Sequence, residues 1–100
     1  MFRIGAILRC DNSGLGILSQ EFYEHLDFVK VLAVSNGTYK TYPERVGQDK
    51  TINKKDIDKK VIGEFLKDID VLLAIETPYN WDFFAEAKKK GIKTVLIPMY

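Results

Sequence analysis

Cysteine, histidine and proline are scarce in this chain, whose 100 residues include one Cys, one His and three Pro. The single cysteine, Cys10, excludes an internal disulfide, and one cysteine with one histidine, His25, is too little for a zinc site. No apolar run approaches the roughly 20 residues of a membrane-spanning helix, and no cleavage-type sequence follows the apolar start. We therefore expect no metal, no membrane span and a reducing, cytoplasmic compartment.

Excess charge of either sign is also missing, since the formal net charge is +1. A balance this close to neutral gives no electrostatic case for binding nucleic acid or an anionic membrane. Apolar residues make up 46% and charged residues 29% of the chain, which is a globular composition. We expect a single domain over residues 1–100.

Short, continuously apolar runs alternate with helical patterns along the chain. This alternation predicts an α/β fold: a Rossmann-like open parallel sheet of four to five strands with helices on both faces. Strands are predicted over Phe2–Arg9, Lys30–Val34, Asp70–Glu76 and Lys93–Pro98, and helices over Gly14–Leu26, Asp56–Ile69 and from Thr77–Pro78 to Lys90.

Residues 38–55 fit neither pattern and are predicted to form a surface excursion, with a short strand near Lys50–Ile52. Across residues 40–60 there are seven Lys or Arg and four Asp or Glu. This segment is either a solvated surface or a basic patch that steers a ligand.

The loop after the first strand is the best candidate for chemistry. It reads Arg9-Cys10-Asp11-Asn12-Ser13-Gly14-Leu15-Gly16, with Asn12 or Ser13 as the helix N-cap. A strand, a glycine-containing loop and a helix start together form an anion-binding arrangement in α/β proteins. The alternative is a tight strand-to-helix turn with no ligand.

Neither of the common nucleotide motifs is complete. Ser19 stands where a dinucleotide fingerprint has its third glycine, and Val34-Ser35-Asn36 holds no acidic residue for a ribose. The Gly-Lys-Ser/Thr of a P-loop is absent. We therefore predict no bound cofactor.

Right-handed crossovers bring two loops, 10–16 and 76–80, to the crevice at the carboxyl edge of the sheet. Asp11 and Glu76 would both lie there, where they could hold sugar hydroxyls, position a cation or act as a general base. Asp11 has an alternative role, capping the helix or stabilising its own turn. Tyr79 and Asn80 suit recognition of a sugar or base.

The same topology leaves part of the sheet without a helix. Only the first helix covers its face, so Leu72, Ala74 or the residues alternating with them are expected to be partly bare. Bare apolar sheet commonly marks a missing partner. We expect a further domain or a partner chain on this face.

Residues 9–16, followed by Gln20-Glu21-Phe22-Tyr23, resemble the start of bacterial and phage glycosyltransferases with the two-domain GT-B fold. The later strings Ile75-Glu76-Thr77-Pro78-Tyr79-Asn80 and Gly91-Ile92-Lys93-Thr94-Val95-Leu96 are similar to a later strand region of the same domain. The resemblance covers most of the chain except roughly residues 38–55.

The resemblance implies the amino-terminal, acceptor-side domain of an enzyme that transfers a sugar from a nucleotide sugar to a hydroxyl acceptor. Such a domain alone is expected to be inactive, because the donor-binding domain has no counterpart here. The implied ligand-binding residues are Asn12, Ser13, Gly14, Leu15 and Gly16 on the donor phosphate and sugar side, and Thr77, Tyr79 and Asn80 with Glu76 on the acceptor side. Asp11 and Glu76 are the candidate catalytic residues.

A different class of function stays open. The chain would then be a stand-alone Rossmann-like or flavodoxin-like binding or interaction module without catalysis. A phosphoryl-receiver is a poorer version of this alternative, because Asp11 lacks a paired acid and the next central strand ends in Glu76.

Overall fold

The computed structural model describes residues 2–98. It contains five strands, β1 to β5, three α-helices, α1 to α3, and two short 3₁₀ turns. In chain order these are β1 Ile4–Arg9, α1 Gly14–His25, β2 Lys30–Ser35, a 3₁₀ turn Pro43–Val46, β3 Ile52–Asn53, a 3₁₀ turn Lys54–Asp56, α2 Lys59–Phe65, β4 Val71–Ile75, α3 Asp82–Lys89 and β5 Lys93–Ile97.

All strand pairs are parallel, and the spatial order is β3-β2-β1-β4-β5. The predicted Rossmann-like α/β sheet is therefore confirmed. Strand β1 lies at the centre, so its continuous run of buried residues is covered on both faces.

Two apolar cores lie on opposite faces of the sheet. On one face α1 packs over Ala6, Leu8 and Leu73. On the other face α2 and α3 pack over Ile7, Leu72 and further residues of the sheet. The alternation of β1 between the two cores follows from the two-residue period of a strand.

Helix α2 is shorter than the predicted Asp56–Ile69. It begins at Lys59 because the Asp58 carboxylate accepts a hydrogen bond from the N–H of Val61 at 3.0 Å and caps the helix. After Phe65 the chain leaves the helix, and Asp68 adopts a left-handed backbone with φ 63°. Leu66 and Ile69 continue the helical spacing of apolar residues, but they lie after the end of the helix and contact the core from there.

Helix α3 begins at Asp82, so the predicted start at Thr77–Pro78 was wrong. The Thr77 hydroxyl accepts a hydrogen bond from the N–H of Tyr79 at 3.0 Å, which makes a turn of these residues. Tyr79 itself has φ 65°, which no helix start allows. The Asn80 side chain then accepts from the N–H of Asp82 at 3.0 Å, at the true beginning of the helix.

Part of the predicted surface excursion packs against the domain, while Tyr39 and Lys40 are exposed. The N–H of Tyr42 donates to the Cys10 carbonyl at 2.7 Å, and Val46 is fully buried in the core beneath α1. Gly47 has φ 70° and lies so close to the Tyr23 hydroxyl that a Cβ there would overlap it. The short strand is Ile52–Asn53, shifted from Lys50–Ile52, and it pairs with the end of β2.

The exposed apolar residues of the sheet are not the ones that were predicted. Leu72 and Ala74 are fully buried, and the alternating Leu73 and Ile75 are buried as well. Exposure instead falls on the edge strand β5, where Val95 is 41% and Leu96 is 38% exposed.

Candidate functional site

The candidate site lies at the carboxyl edge of the sheet, where β1 ends between β2 and β4. Chain connections leave β1 toward β2 over one face and arrive at β4 from the other, so the strand order reverses beside β1. Ligands in open α/β sheets bind outside such a reversal. Three segments surround it: the loop after β1, the loop after β4 and residues 39–45.

The loop after β1 is held by a buried carboxylate. Asp11 Oδ1 accepts hydrogen bonds from the N–H of Ser13 at 3.0 Å and from the Ser13 hydroxyl, and Asp11 Oδ2 accepts from Arg9 Nε at 2.8 Å. The Asp11 side chain is 0% exposed. Both carboxylate oxygens are therefore engaged within the loop.

Ser13 is the N-cap of α1, as predicted. Its hydroxyl oxygen accepts from the N–H of Gly16 at 3.1 Å. The N–H groups of Gly14 and Leu15 precede it and have no acceptor within the helix, as in any α-helix. These two donors and the positive end of the helix dipole point toward the carboxyl edge.

Gly16 is needed for close packing. A Cβ at this position would overlap the backbone oxygen and the carboxylate of Asp11. The first turn of α1 can therefore rest directly on the strand end only because residue 16 has no side chain.

Arg9 and Asp11 form a buried ion pair. Burial alone would raise the pKa of the Asp11 carboxyl, but hydrogen bonds from Ser13 and Arg9 outweigh it and hold that pKa below its ordinary value. Burial likewise would lower the pKa of Arg9, and hydrogen bonding to Asp11 and contact with Tyr79 raise it instead. The pair therefore stays ionised.

The loop after β4 has a strained backbone and contains a buried hydroxyl that lacks a hydrogen-bond partner among residues 2–98. Glu76 and Tyr79 both have positive φ values, 66° and 65°, which are costly for residues with side chains. The N–H of Glu76 bonds to the Ile97 carbonyl at 2.6 Å, while its side chain is exposed to solvent. Strain of this kind in a rim loop points to a functional constraint.

Tyr79 joins the two loops. Burial raises the pKa of its phenol, and the neighbouring Arg9 guanidinium partly offsets this. The hydroxyl oxygen is buried, and among residues 2–98 it has no hydrogen-bond partner of acceptable geometry. An unpartnered buried hydroxyl costs about 1–3 kcal/mol, so this phenol is expected to destabilise the folded domain.

The third segment carries residues that the sequence interpretation did not assign to the site. Arg45 Nη1 donates to Asn12 Oδ1 at 2.7 Å, and its guanidinium lies 4.0 Å from the Tyr42 ring centroid. Lys40 lies 5.5 Å from the same ring, and Arg9 lies 5.8 Å from that of Tyr39. The signal in the sequence was the spacing of Tyr and Lys/Arg over residues 39–45, which is typical of cations stacked on aromatic rings.

Several predicted residues serve the architecture of the rim. Leu15 packs into the core beneath α1. The side chains of Thr77 and Asn80 shape the β4–α3 loop, and Asn80 also donates to the Ile57 carbonyl at 3.0 Å. Ligand contacts for Asn12, Ser13, Gly14, Leu15, Gly16, Thr77, Tyr79 and Asn80, and catalytic roles for Asp11 and Glu76, remain predictions.

Cys10 is a buried structural thiol. Burial raises its pKa, so it stays protonated near neutral pH. Within residues 2–98, no three His, Cys, Asp or Glu side chains are grouped so that they could hold a metal ion. Over the same range, none of the helices has the length and apolar character needed to cross a bilayer.

A groove of about 780 Å³ lies away from this edge. It runs along the start of β2, which β3 leaves unpaired because it reaches only Val34 and Ser35. Its lining mixes apolar residues of β2 and α2 with charged ones such as Lys30, Lys60 and Glu64.

Comparison of the chain with models of protein families gave no match, and comparisons with curated proteins and with solved structures gave none either.

Proposed function

We propose that this chain is the acceptor-side domain of a GT-B glycosyltransferase, one that transfers a sugar from a nucleotide sugar to a hydroxyl acceptor. The proposal is supported by the resemblance of residues 9–16 and 75–80 to that family. The observation that carries it is the parallel pairing of β1 with β4, because the loops that follow these two strands hold those same two segments and therefore lie at one edge of the sheet.

The two loops offer different chemistry to a ligand. The first presents backbone donors of Gly14 and Leu15 at a helix start, which suits phosphate oxygens of a donor. The second presents the exposed Glu76 carboxylate, which suits the hydroxyl groups of an acceptor. A nucleotide sugar and its acceptor would then approach each other across the rim.

Glu76 is the better candidate for a general base. In a transfer that inverts the anomeric carbon, a carboxylate removes the acceptor proton while the acceptor oxygen attacks that carbon and the nucleotide phosphate leaves. Asp11 has both oxygens engaged and a lowered pKa, so we assign it to positioning Arg9 and Ser13. A retaining transfer would need neither carboxylate as a base.

Most donor contacts would come from a second domain or a partner chain. The exposed apolar residues of β5, Val95 and Leu96, are the place where such a partner would pack. This proposal predicts little or no transfer by residues 1–100 alone.

The test is a titration of the ¹⁵N-labelled chain with UDP-glucose, GDP-mannose, UDP and free sugars, followed by amide shifts. We expect the nucleotide sugars to shift Gly14 and Leu15. Gly14→Asp should abolish these shifts, because it places a negative charge at the helix start where a phosphate would bind.

Gly63→Asp is the matched control, since it makes the same substitution in α2 where nothing lies within 4 Å of the new Cβ. It should leave the titration unchanged. Unshifted Gly14 and Leu15 amides with every nucleotide sugar would contradict the proposal.

One observation favours a binding module without catalysis. Asp11 is sealed inside its loop, so among residues 9–13 and 76–80 only Glu76 offers an exposed carboxylate. Ligand binding that survives Glu76→Gln, together with no transfer after the missing partner is supplied, would favour that alternative.

A further inference from the structure

Four residues of the third segment, Tyr39, Lys40, Tyr42 and Arg45, form a surface that we call the arginine–tyrosine shelf. It lies beside Asn12 at the carboxyl edge of the sheet. The proposed function does not account for its charge.

The shelf is rigidly anchored. On one side of Arg45 the N–H of Tyr42 bonds to the Cys10 carbonyl at 2.7 Å. On the other side Val46 is fully buried, and Gly47 packs against the Tyr23 hydroxyl. Arg45 therefore projects from a backbone fixed at both ends, so little conformational entropy would be lost when it binds a ligand.

The charges of the shelf are not neutralised by the protein. Among residues 2–98 the ion pairs involve Arg9, His25, Lys67 and Lys89, and neither Lys40 nor Arg45 has a carboxylate within 4.0 Å. Glu44 is the nearest acid in sequence, and it is exposed without a bond to either cation. Arg9, in contrast, is already paired with Asp11.

The Arg45 guanidinium has donors to spare. It has five N–H groups, and its one hydrogen bond to a side chain goes to the neutral amide oxygen of Asn12. Stacking on Tyr42 at 4.0 Å fixes the plane of the guanidinium. A planar, oriented and unpaired guanidinium matches the geometry of a phosphate or carboxylate.

We infer that the arginine–tyrosine shelf binds an anionic group, a phosphate or a carboxylate, carried by the hydroxyl acceptor. This inference rests on the proposed function, because it takes the rim as the acceptor side of a transferase. The donor phosphates have their own candidate donors at Gly14 and Leu15, so a second anion-binding surface indicates a second anion. The half-exposed ring of Tyr39 would contact the apolar face of the acceptor ring.

The experiment is an NMR titration of the full chain at low ionic strength with glucose 6-phosphate, glucuronate, glucose, inorganic phosphate and UDP-glucose. We expect glucose 6-phosphate or glucuronate to shift the amides of Asn12, Tyr42 and Arg45. Loss of a charge-assisted hydrogen bond in Arg45→Gln should weaken this binding about tenfold. Comparison of the two anionic sugars identifies which anion the shelf takes.

Two variants serve as controls. Arg45→Lys keeps the charge but loses the planar fork, so it should bind more weakly than wild type and more tightly than Arg45→Gln. Lys88→Gln removes one positive charge from an exposed position of α3, and it should leave the dissociation constant within about twofold. An Arg45 variant that does not fold is replaced by Lys40→Gln, for which weaker binding is also expected.

Two of the remaining outcomes contradict the inference, and a third contradicts the proposed function instead. If glucose or inorganic phosphate binds as tightly as glucose 6-phosphate, the shelf does not recognise an anionic sugar. Shelf shifts with UDP-glucose alone would assign it to the donor, and the proposed function would then stand without this inference. Shelf shifts with an anionic sugar, but none at Gly14 and Leu15 with UDP-glucose, would remove the donor site of the proposed function.

Discussion

The loops after β1 and β4 meet at one edge of the sheet, yet they are built in different ways. The first satisfies its own polar groups: Asp11 binds both Arg9 and Ser13, and Ser13 caps α1. The second places Glu76 and Tyr79 in the left-handed region and leaves the Tyr79 hydroxyl unpartnered among residues 2–98. The first loop is therefore a hydrogen-bonded scaffold for a helix start, and the second has a strained backbone and an exposed carboxylate at Glu76.

The largest effect should come from removing the centre of the first loop. Asp11→Ala leaves Arg9 buried without a counter-ion and removes an acceptor from Ser13. Breaking one partner of a buried ion pair costs about 3–5 kcal/mol, and we expect a loss of that order in the free energy of unfolding by urea. Glu76→Ala in the second loop should change it little, because that side chain is exposed.

The pH dependence of stability provides an independent check on Asp11. Its folded pKa lies below the ordinary value of 3.8, so the unfolded chain binds the proton more readily. The stabilisation is present above that ordinary value and is lost as the pH falls through the lower, folded pKa. A loss from Asp11→Ala below 1 kcal/mol, or wild-type and variant curves that stay parallel through this acid range, would mean that the pair is not a structural centre.

A smaller effect is expected from Gly16→Ala. The added methyl group overlaps the Asp11 backbone oxygen, so α1 must shift away from the strand end. Overpacking of this kind costs about 1–3 kcal/mol of unfolding free energy. Gly63→Ala is the matched control: its Cβ has open space in a helix, and it should stabilise the protein by about 0.5–1 kcal/mol. Equal changes in thermal unfolding for both variants would contradict the close packing of the first loop.

The smallest effect should appear in the second loop, with the opposite sign. Tyr79→Phe removes the unpartnered hydroxyl and should raise the free energy of unfolding by about 1 kcal/mol. Tyr39→Phe, at a half-exposed ring, should leave stability unchanged. A destabilised Tyr79→Phe would show that the hydroxyl already has a partner, and the contrast between the loops would fail.

Elements governed by local chemistry could be predicted well. The apolar run of β1 requires cover on both faces, and Ser13 caps α1 because its hydroxyl reaches the third N–H of the helix. The start of α3 could not be predicted, since Thr77–Pro78 satisfies the same local rules. The chain does not form a helix there, because the N–H of Glu76 bonds to the Ile97 carbonyl and Tyr79 has a left-handed backbone.

In the candidate site, too, some features could be predicted from neighbouring residues and others could not. Asp11, Ser13 and Gly14 follow one another along the chain, so their role at a helix start is readable from their order. Arg45 is 33 residues from Asn12, and nothing local indicates their contact. Val46 and Gly47 bring it there by burying one side of the segment against α1.

The order of residues alone therefore set the parallel α/β class, the capped helix after β1 and the absence of a disulfide, because periodicity, capping and composition act over a few neighbours. Tertiary packing decided which polar groups at the carboxyl edge of the sheet have hydrogen-bond partners. It buried the Asp11 carboxylate and left the Tyr79 hydroxyl without a partner among the described residues. It also placed Arg45 of the arginine–tyrosine shelf in contact with Asn12. Burial and hydrogen bonding between distant segments determine those outcomes, and neither is encoded in any short stretch of the chain.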